Sequence, residues 1–161
     1  MDRSNTVPTA ITFIIFIALC IGGFFLVRNL VDTDQEQAHS DAIKEIGELP
    51  NINVNINGTA YTAETFVSYA SQNFISYLAI TVEMDDLGSN QKKGCPYIKF
   101  EGDTPRVKKI ERGDVLVYAD SCIIIATGSF SNNGKYKKIA HINNLADIPT
   151  GKQTVVFSKA Q

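Results

Sequence analysis

The feature that most constrains this chain is an uncharged run of 18 residues near its N-terminus, from Ala10 to Val27. At about 1.5 Å per residue, a helix of this length extends about 27 Å, close to the hydrocarbon thickness of a bilayer. Only Thr12, Cys20 and the Gly22-Gly23 pair interrupt its large apolar side chains. The run therefore predicts a transmembrane helix that follows a short N-terminal tail, residues 1–9.

Two kinds of export signal resemble such a run, but neither fits it. A cleaved signal peptide has a shorter apolar core and small residues before the cleavage site. A bacterial lipoprotein signal needs a small side chain before its cysteine, whereas Leu19 precedes Cys20. We therefore expect the helix to remain on the protein as a membrane anchor.

The charges beside the helix say little about its orientation, because Arg3 precedes it and Arg28 follows it. Short N-terminal segments usually stay in the cytoplasm, and the stretch after Arg28 is acidic, with Asp32, Asp34 and Glu36. We expect a single-pass membrane protein with a cytoplasmic N-terminus and an extracytoplasmic domain.

The next segment, residues 28–50, is polar and acidic. Apolar residues recur in it at helical spacing: Ala38, Ala42, Ile43, Ile46 and Leu49. This pattern predicts a stalk that is partly helical and that ends at Gly47 and Pro50. A solvated spacer explains the same polarity and is an equal alternative.

From Asn51 the apolar period changes from about 3.6 residues to about 2, which is typical of strands. Ile52, Val54 and Ile56 alternate with asparagines, and Asn57-Gly58 is a hairpin turn signal. We predict further strands at residues 59–62, 79–84, 97–100, 115–118, 122–126, 136–142 and 154–157. We also predict a short helix at residues 63–72, turns at residues 85–94, 113–114 and 119–121, and a hairpin at residues 131–134.

These short strands, with only one convincing helix among them, predict a mainly β domain over residues 51–161. Regular short strands separated by tight turns favour a closed or nearly closed barrel over a layered α/β fold. One or two short helices are expected beside it.

The overall charge excludes one class of partner. The chain has 15 Lys and Arg against 17 Asp and Glu, which gives a net charge of −2. No excess of positive charge is available to neutralise phosphates, so nucleic acid is not an expected partner.

The residues able to support catalysis or metal binding do not form a recognisable set. His39 falls in the stalk and His141 in a strand, with no metal-ligand spacing between them. The Asp85-Asp86 pair lacks the spacing of a calcium loop, and Ser121 beside Cys122 has no identifiable base. We predict no catalytic residue, no metal site and no cofactor.

Of the three cysteines, Cys20 lies in the membrane helix, so Cys95 and Cys122 are the possible pair in the domain. In an oxidising compartment a disulfide between them would stabilise the fold by roughly 3 kcal/mol. A single pair shows no spacing pattern, so the sequence favours two reduced thiols, with the disulfide as the alternative.

Three segments resemble the bacterial cyclophilin-like domains. They are residues 85–90 (DDLGSN) after the strand that ends Val82-Glu83-Met84, residues 113–118 (GDVLVY) followed by Asp120 and Cys122, and residues 137–142 (KKIAHI). The resemblance spans Asn51 to Phe157, and it implies a small β-barrel like that of cyclophilin.

The resemblance does not by itself imply prolyl isomerisation. True cyclophilins rely on an arginine in a Phe-His-Arg motif, a neighbouring glutamine and an apolar proline pocket that usually includes a tryptophan. This chain has no tryptophan and no Phe-His-Arg. Its two domain arginines, Arg106 and Arg112, fall in a segment that we expect to be a solvated loop.

We therefore expect a module at the cell envelope that binds a peptide, a protein or a small ligand on the open face or mouth of the barrel. The final hairpin is expected to bring aromatic and polar side chains together: Tyr118, Asp120, Phe130, Tyr136 and His141. One alternative is a divergent envelope prolyl isomerase. Another is a structural subunit of a membrane assembly that uses Gly22-Gly23 as a helix interface.

Overall fold

A computed structural model describes residue 40 and residues 44–160 of the chain. Its strands are β1 (Ile52–Ile56), β2 (Thr59–Thr65), β3 (Ile80–Asp86), β4 (Gln91–Gly94), β5 (Lys109–Ile110), β6 (Asp114–Tyr118), β7 (Cys122–Ala126), β8 (Phe130–Ser131), β9 (Tyr136–Ile142) and β10 (Gln153–Lys159). One helix, α1 (Tyr69–Ser76), lies between β2 and β3.

Eight of these strands close into a barrel in the order β1-β10-β3-β4-β7-β6-β9-β2, and β5 and β8 form a separate two-stranded sheet. Neighbouring strands of the barrel run antiparallel. The mainly β barrel predicted from the short alternating strands is confirmed.

The barrel interior is filled by alternate residues of its strands, as the pleat requires. In β1, for example, Ile52, Val54 and Ile56 are buried and the two asparagines between them are not. This is the alternation from which the strand was predicted.

The helix α1 packs its buried face onto this core. The ring of Phe74 lies 5.4 Å from that of Phe100 and 5.7 Å from that of Phe157. Ser68 caps the helix, because its side-chain oxygen accepts a hydrogen bond of 3.1 Å from the backbone N–H of Ser71.

A smaller apolar cluster lies on the outer face of β6 and β7. Leu116 and Ile124 are cross-strand neighbours there, and both are buried. Ile110 of β5 and Phe130 of β8 pack against them, so the small β5–β8 sheet covers this part of the barrel wall. The β5–β8 sheet thereby helps to position the aromatic residues described below.

Local predictions were wrong where tertiary contacts outweighed the sequence pattern. Residues 63–65 extend β2 instead of starting a helix, because Ala63 faces the core and pairs with Ile52. Residues 97–100 form no strand, whereas residues 91–94, predicted as a turn, form β4. Residues 131–134 close no hairpin, since β8 pairs with β5 and β9 pairs with β6 and β2.

Cys95 and Cys122 form a disulfide with an Sγ–Sγ distance of 2.09 Å. The prediction of two reduced thiols is therefore wrong, and the disulfide, which was the alternative, is present. The reason is the pairing of β4 with β7, in which Gly94 lies opposite Ile123 and brings the adjacent cysteines together.

A buried lysine connects the β3–β4 hairpin to the loop before β10. Lys92 is only 2% exposed, and its ammonium lies 2.5 Å from Asp86 Oδ1 and donates to the Gly151 carbonyl at 2.7 Å. Asp86 Oδ2 also accepts a hydrogen bond of 2.6 Å from the Gly151 N–H. These hydrogen bonds, that from Lys92 above all, hold the pKa of Asp86 below its ordinary value.

The predicted transmembrane helix, Ala10 to Val27, lies outside the described residues, as does most of the predicted stalk. In the described part of the stalk, residue 40 and residues 44–46 are helical, and the helix ends before Gly47. Leu49 packs against the core of the barrel. Within residues 44–160, no helix is long and apolar enough to cross a membrane.

Candidate functional site

Three of the predicted binding residues lie together on the outer face of the barrel. Tyr118 of β6 pairs with Tyr136 of β9, and their ring centres are 4.9 Å apart. Phe130 places its ring 5.3 Å from that of Tyr136, and Lys93 Nζ lies 5.5 Å from the centre of the Tyr118 ring. The Tyr136 hydroxyl donates to Gln91 Oε1 at 3.2 Å. We call Tyr118, Phe130 and Tyr136 the aromatic cluster.

An open pocket of 380 Å³ lies beside the aromatic cluster, and Tyr136 belongs to both. We call it the Arg106 pocket. All of its lining residues except Gly134 have polar or charged side chains: Asp103, Thr104, Arg106, Asn132, Gly134, Tyr136 and Lys137.

One side chain fixes the turn that forms a wall of this pocket. Asn132 Oδ1 accepts a hydrogen bond of 2.8 Å from the Gly134 N–H, and its Nδ2 donates to the Tyr136 carbonyl at 3.1 Å. Gly134 has a φ of +89°, and a Cβ placed there would lie 3.4 Å from Arg106 Nη2. The absence of a side chain at Gly134 leaves the face of the guanidinium uncovered on that side.

The two cations of the pocket differ in how far their charge is neutralised. Lys137 Nζ donates to the Gly102 carbonyl at 2.7 Å and forms ion pairs of 2.9 Å with Asp120 Oδ1 and 3.9 Å with Asp103 Oδ1. Arg106 has no hydrogen-bonding or carboxylate partner among the residues that the structure describes. Asp120, a fourth predicted residue, therefore holds Lys137 in place, and Arg106 is the cation of the pocket that has no ion-pair partner in the described part of the chain.

The fifth predicted residue, His141, lies at the opposite end of β9. Its Nδ1 is 2.7 Å from Oδ1 of Asp114, a carboxylate with no exposed surface. Lys138 Nζ lies 2.8 Å from the same oxygen, and the Glu111 N–H donates to the other oxygen at 2.9 Å. The structure thus does not bring His141 to the aromatic cluster, and the binding role of all five residues stays a prediction.

Two arginines that the sequence placed in a solvated loop have different environments. Arg106 is exposed at the pocket. Arg112 is instead held by the carbonyl oxygens of Leu145 and Thr127 and by an ion pair of 2.7 Å with Asp147. No pattern in the sequence distinguishes these arginines, because their partners are distant along the chain.

Asp114 could have been singled out from the sequence. It begins the strand Asp114-Val115-Leu116-Val117-Tyr118, in which the four remaining residues are all apolar or aromatic. A carboxylate in such a strand needs hydrogen-bond donors when it is buried, so the position predicts polar partners. The Gly113-Asp114 pair instead predicts a turn.

Comparison with known proteins supports a single family. The model of the cyclophilin-like family matches residues 54–158, from within β1 to within β10. No curated protein and no solved structure gives a significant match. The match covers well over half of the chain and the whole circuit of the barrel, so the chain belongs to the cyclophilin-like family.

Proposed function

We propose that this protein is a binding module that recognises an acidic peptide segment through the Arg106 pocket. The observation that supports this most is the Arg106 guanidinium, which faces an open pocket and has no carboxylate partner among the described residues. A guanidinium presents planar N–H donors that match the two oxygens of a carboxylate. A ligand carboxylate would give Arg106 the partner that the described part of the domain does not provide.

The rest of the lining suits a peptide side chain. A volume of 380 Å³ is near the lower end for ligand pockets, so it fits one or two side chains and not a large cofactor. Tyr136 offers an aromatic surface, and the aromatic cluster behind it holds the ring in place. Thr104 and Asn132 also line the pocket, and both are held by hydrogen bonds within the domain.

We also propose that the module is displayed at the cell envelope by the predicted helix Ala10 to Val27. An uncharged run of this length supports a membrane anchor. The disulfide between Cys95 and Cys122 supports an oxidising compartment for the domain, because such bonds are rare in the cytosol.

A peptide array tests the recognition proposal. The full chain in nanodiscs is applied to random hexapeptides that contain one Asp or Glu, each paired with its Asn or Gln counterpart. We expect the acidic peptides to bind more tightly than their neutral counterparts. Replacing Arg106 by Gln should weaken the binding of the best acidic peptide about tenfold, which is the typical loss for one charge-assisted hydrogen bond.

Lys109→Gln is the matched control, because it removes the same charge from an exposed residue three positions away that pairs with Glu111. It should leave the affinity within about twofold of the original, as expected for an exposed, paired charge that does not line the pocket. Equal binding of acidic and neutral peptides, or equal losses in both variants, would contradict the proposal.

Prolyl isomerisation is the second candidate, and one observation favours it. Arg106, Phe130 and Gln91 all adjoin Tyr136, so an arginine, a phenylalanine and a glutamine share one face of the barrel. The polar and charged side chains that line the pocket favour binding over this reaction. NMR exchange on a panel of proline peptides separates the two: exchange above the spontaneous rate supports the isomerase, and none across the panel removes it.

A further inference from the structure

A second open groove, of 250 Å³, lies at the other end of β9 from the aromatic cluster. It is lined by Glu64, Thr65, Phe66, Lys138 and His141, and we call it the His141 groove. It has no lining residue in common with the Arg106 pocket. A ligand of the His141 groove would therefore bind apart from a ligand of the Arg106 pocket.

The buried carboxylate of Asp114 determines which nitrogen of His141 is available to a ligand. Asp114 accepts from Lys138 Nζ and from the Glu111 N–H, so it acts as an ionised acceptor. His141 Nδ1, 2.7 Å from Asp114 Oδ1, must then hold a proton and donate. In the neutral ring, Nε2 is left as a hydrogen-bond acceptor for the groove.

The charges of the groove are not balanced. The ammonium of Lys138 is paired with the buried Asp114 at 2.8 Å, so these two charges offset each other. Glu64 lies directly opposite His141 in the β2–β9 pair and is exposed, with no hydrogen-bonding or charged partner among the described residues. One negative charge therefore remains in the groove, on Glu64, whose Cβ faces that of His141 across the sheet at about 5 Å.

We propose that the His141 groove binds a guanidinium or ammonium group, with Glu64 and His141 Nε2 as its two acceptors. A group of this kind carries the positive charge that offsets Glu64 and the N–H donors that both acceptors need. Phe66 forms an apolar wall for the alkyl chain that bears the cation. The source of the cation is either a small free molecule or the side chain of an arginine or lysine in a peptide.

Titration followed by NMR tests the site on the full, ¹⁵N-labelled chain in nanodiscs. The probe is n-butylguanidinium, and the matched neutral compound is N-butylurea, which has a similar shape and no charge. We expect saturable shifts of the amide signals of Thr65, Phe66 and His141 with the cation, and none with the urea. A second titration with acetyl-Gly-Arg-Gly-amide identifies the source, because tighter binding of the peptide indicates an arginine side chain.

Three variants test whether Glu64 and His141 bind the cation. Glu64→Gln should weaken n-butylguanidinium binding about threefold to tenfold, the range for a partly exposed charged hydrogen bond. His141→Asn should weaken it similarly, because its amide keeps a donor for Asp114 but lacks the Nε2 acceptor. Glu83→Gln, on β3 and remote from β2 in the strand order, should change nothing.

The spectrum of each variant reports whether it is folded, so loss of binding and loss of structure are distinguishable. Equal shifts with N-butylurea, no shifts with the cation, or equal affinities of Glu64→Gln and Glu83→Gln would each overturn the proposal.

Discussion

Reduction of the disulfide between Cys95 and Cys122 should measurably destabilise the domain. The two cysteines are 27 residues apart, and for a loop of this size the chain-entropy relation gives about 3.5 kcal/mol at 25 °C. An unfolding entropy of about 2.1 cal/mol/K per residue over about 110 residues converts this into a fall in Tm of about 15 °C.

The assay is denaturant unfolding of the full chain in nanodiscs, with and without a thiol reductant. A Cys20→Ser background leaves Cys95 and Cys122 as the only cysteines. The free energy of unfolding should fall by about 3.5 kcal/mol on reduction. In the double variant Cys95→Ala/Cys122→Ala, the reductant should have no effect.

Two results would refute this reasoning. One is an unfolding midpoint that is the same for the oxidised and reduced chains. The other is a peptide map of the oxidised protein in which the peptides of Cys95 and Cys122 are not linked. The second would also remove the support that the disulfide gives to an oxidising compartment.

Two further predictions concern stability. Gly94→Ala should lower the free energy of unfolding by about 2 kcal/mol, because an added Cβ would lie 2.5 Å from Val82 Cγ2 and 2.7 Å from the Glu83 carbonyl oxygen; unchanged denaturation would contradict this. Asp86→Asn should make the protein less stable at neutral pH, because the pKa of Asp86 is lowered by the hydrogen bond from Lys92. A lowered pKa stabilises the fold above the ordinary value near 4, so the difference in unfolding free energy should shrink as the pH falls below about 4; a constant difference from pH 7 to pH 2 would contradict the assignment.

The barrel could be predicted from the sequence because short stretches of sequence are enough to identify several of its strands and turns. In β1, period-2 alternation and the Asn57-Gly58 turn identify a hairpin, and the turn has the positive φ values, 49° and 91°, that this residue pair favours. The buried strand β7 is a plain apolar run. Neither feature depends on what the strand packs against.

The missed elements depend on distant partners. β4 contains two lysines and no large apolar residue, so nothing in its sequence resembles a buried strand. Lys92 is nevertheless buried, because Asp86 neutralises its ammonium. Conversely, residues 97–100 alternate like a strand but form none, and Phe100 instead packs on α1.

The residues of the candidate site also differ in how far their positions could be predicted from the sequence. Tyr118 and Tyr136 could be grouped from the sequence only through the expected final hairpin, whereas the structure joins them by pairing β6 with β9, which β7 and β8 separate along the chain. The position of Arg106 at the pocket could not be predicted, because it depends on the turn that Asn132 fixes, 26 positions later. The pairing of His141 with Asp114 likewise depends on the β6–β9 register, which includes a bulge after Val115.

The most direct test of the proposed function is to locate a bound acidic peptide on the domain. The measurement is the set of intermolecular NOEs between the full chain and the tightest peptide from the array. We predict NOEs from the methylenes beside the peptide carboxylate to the side chains of Arg106 and Tyr136. NOEs to another surface, with the Arg106 signals unchanged at saturation, would contradict the proposal.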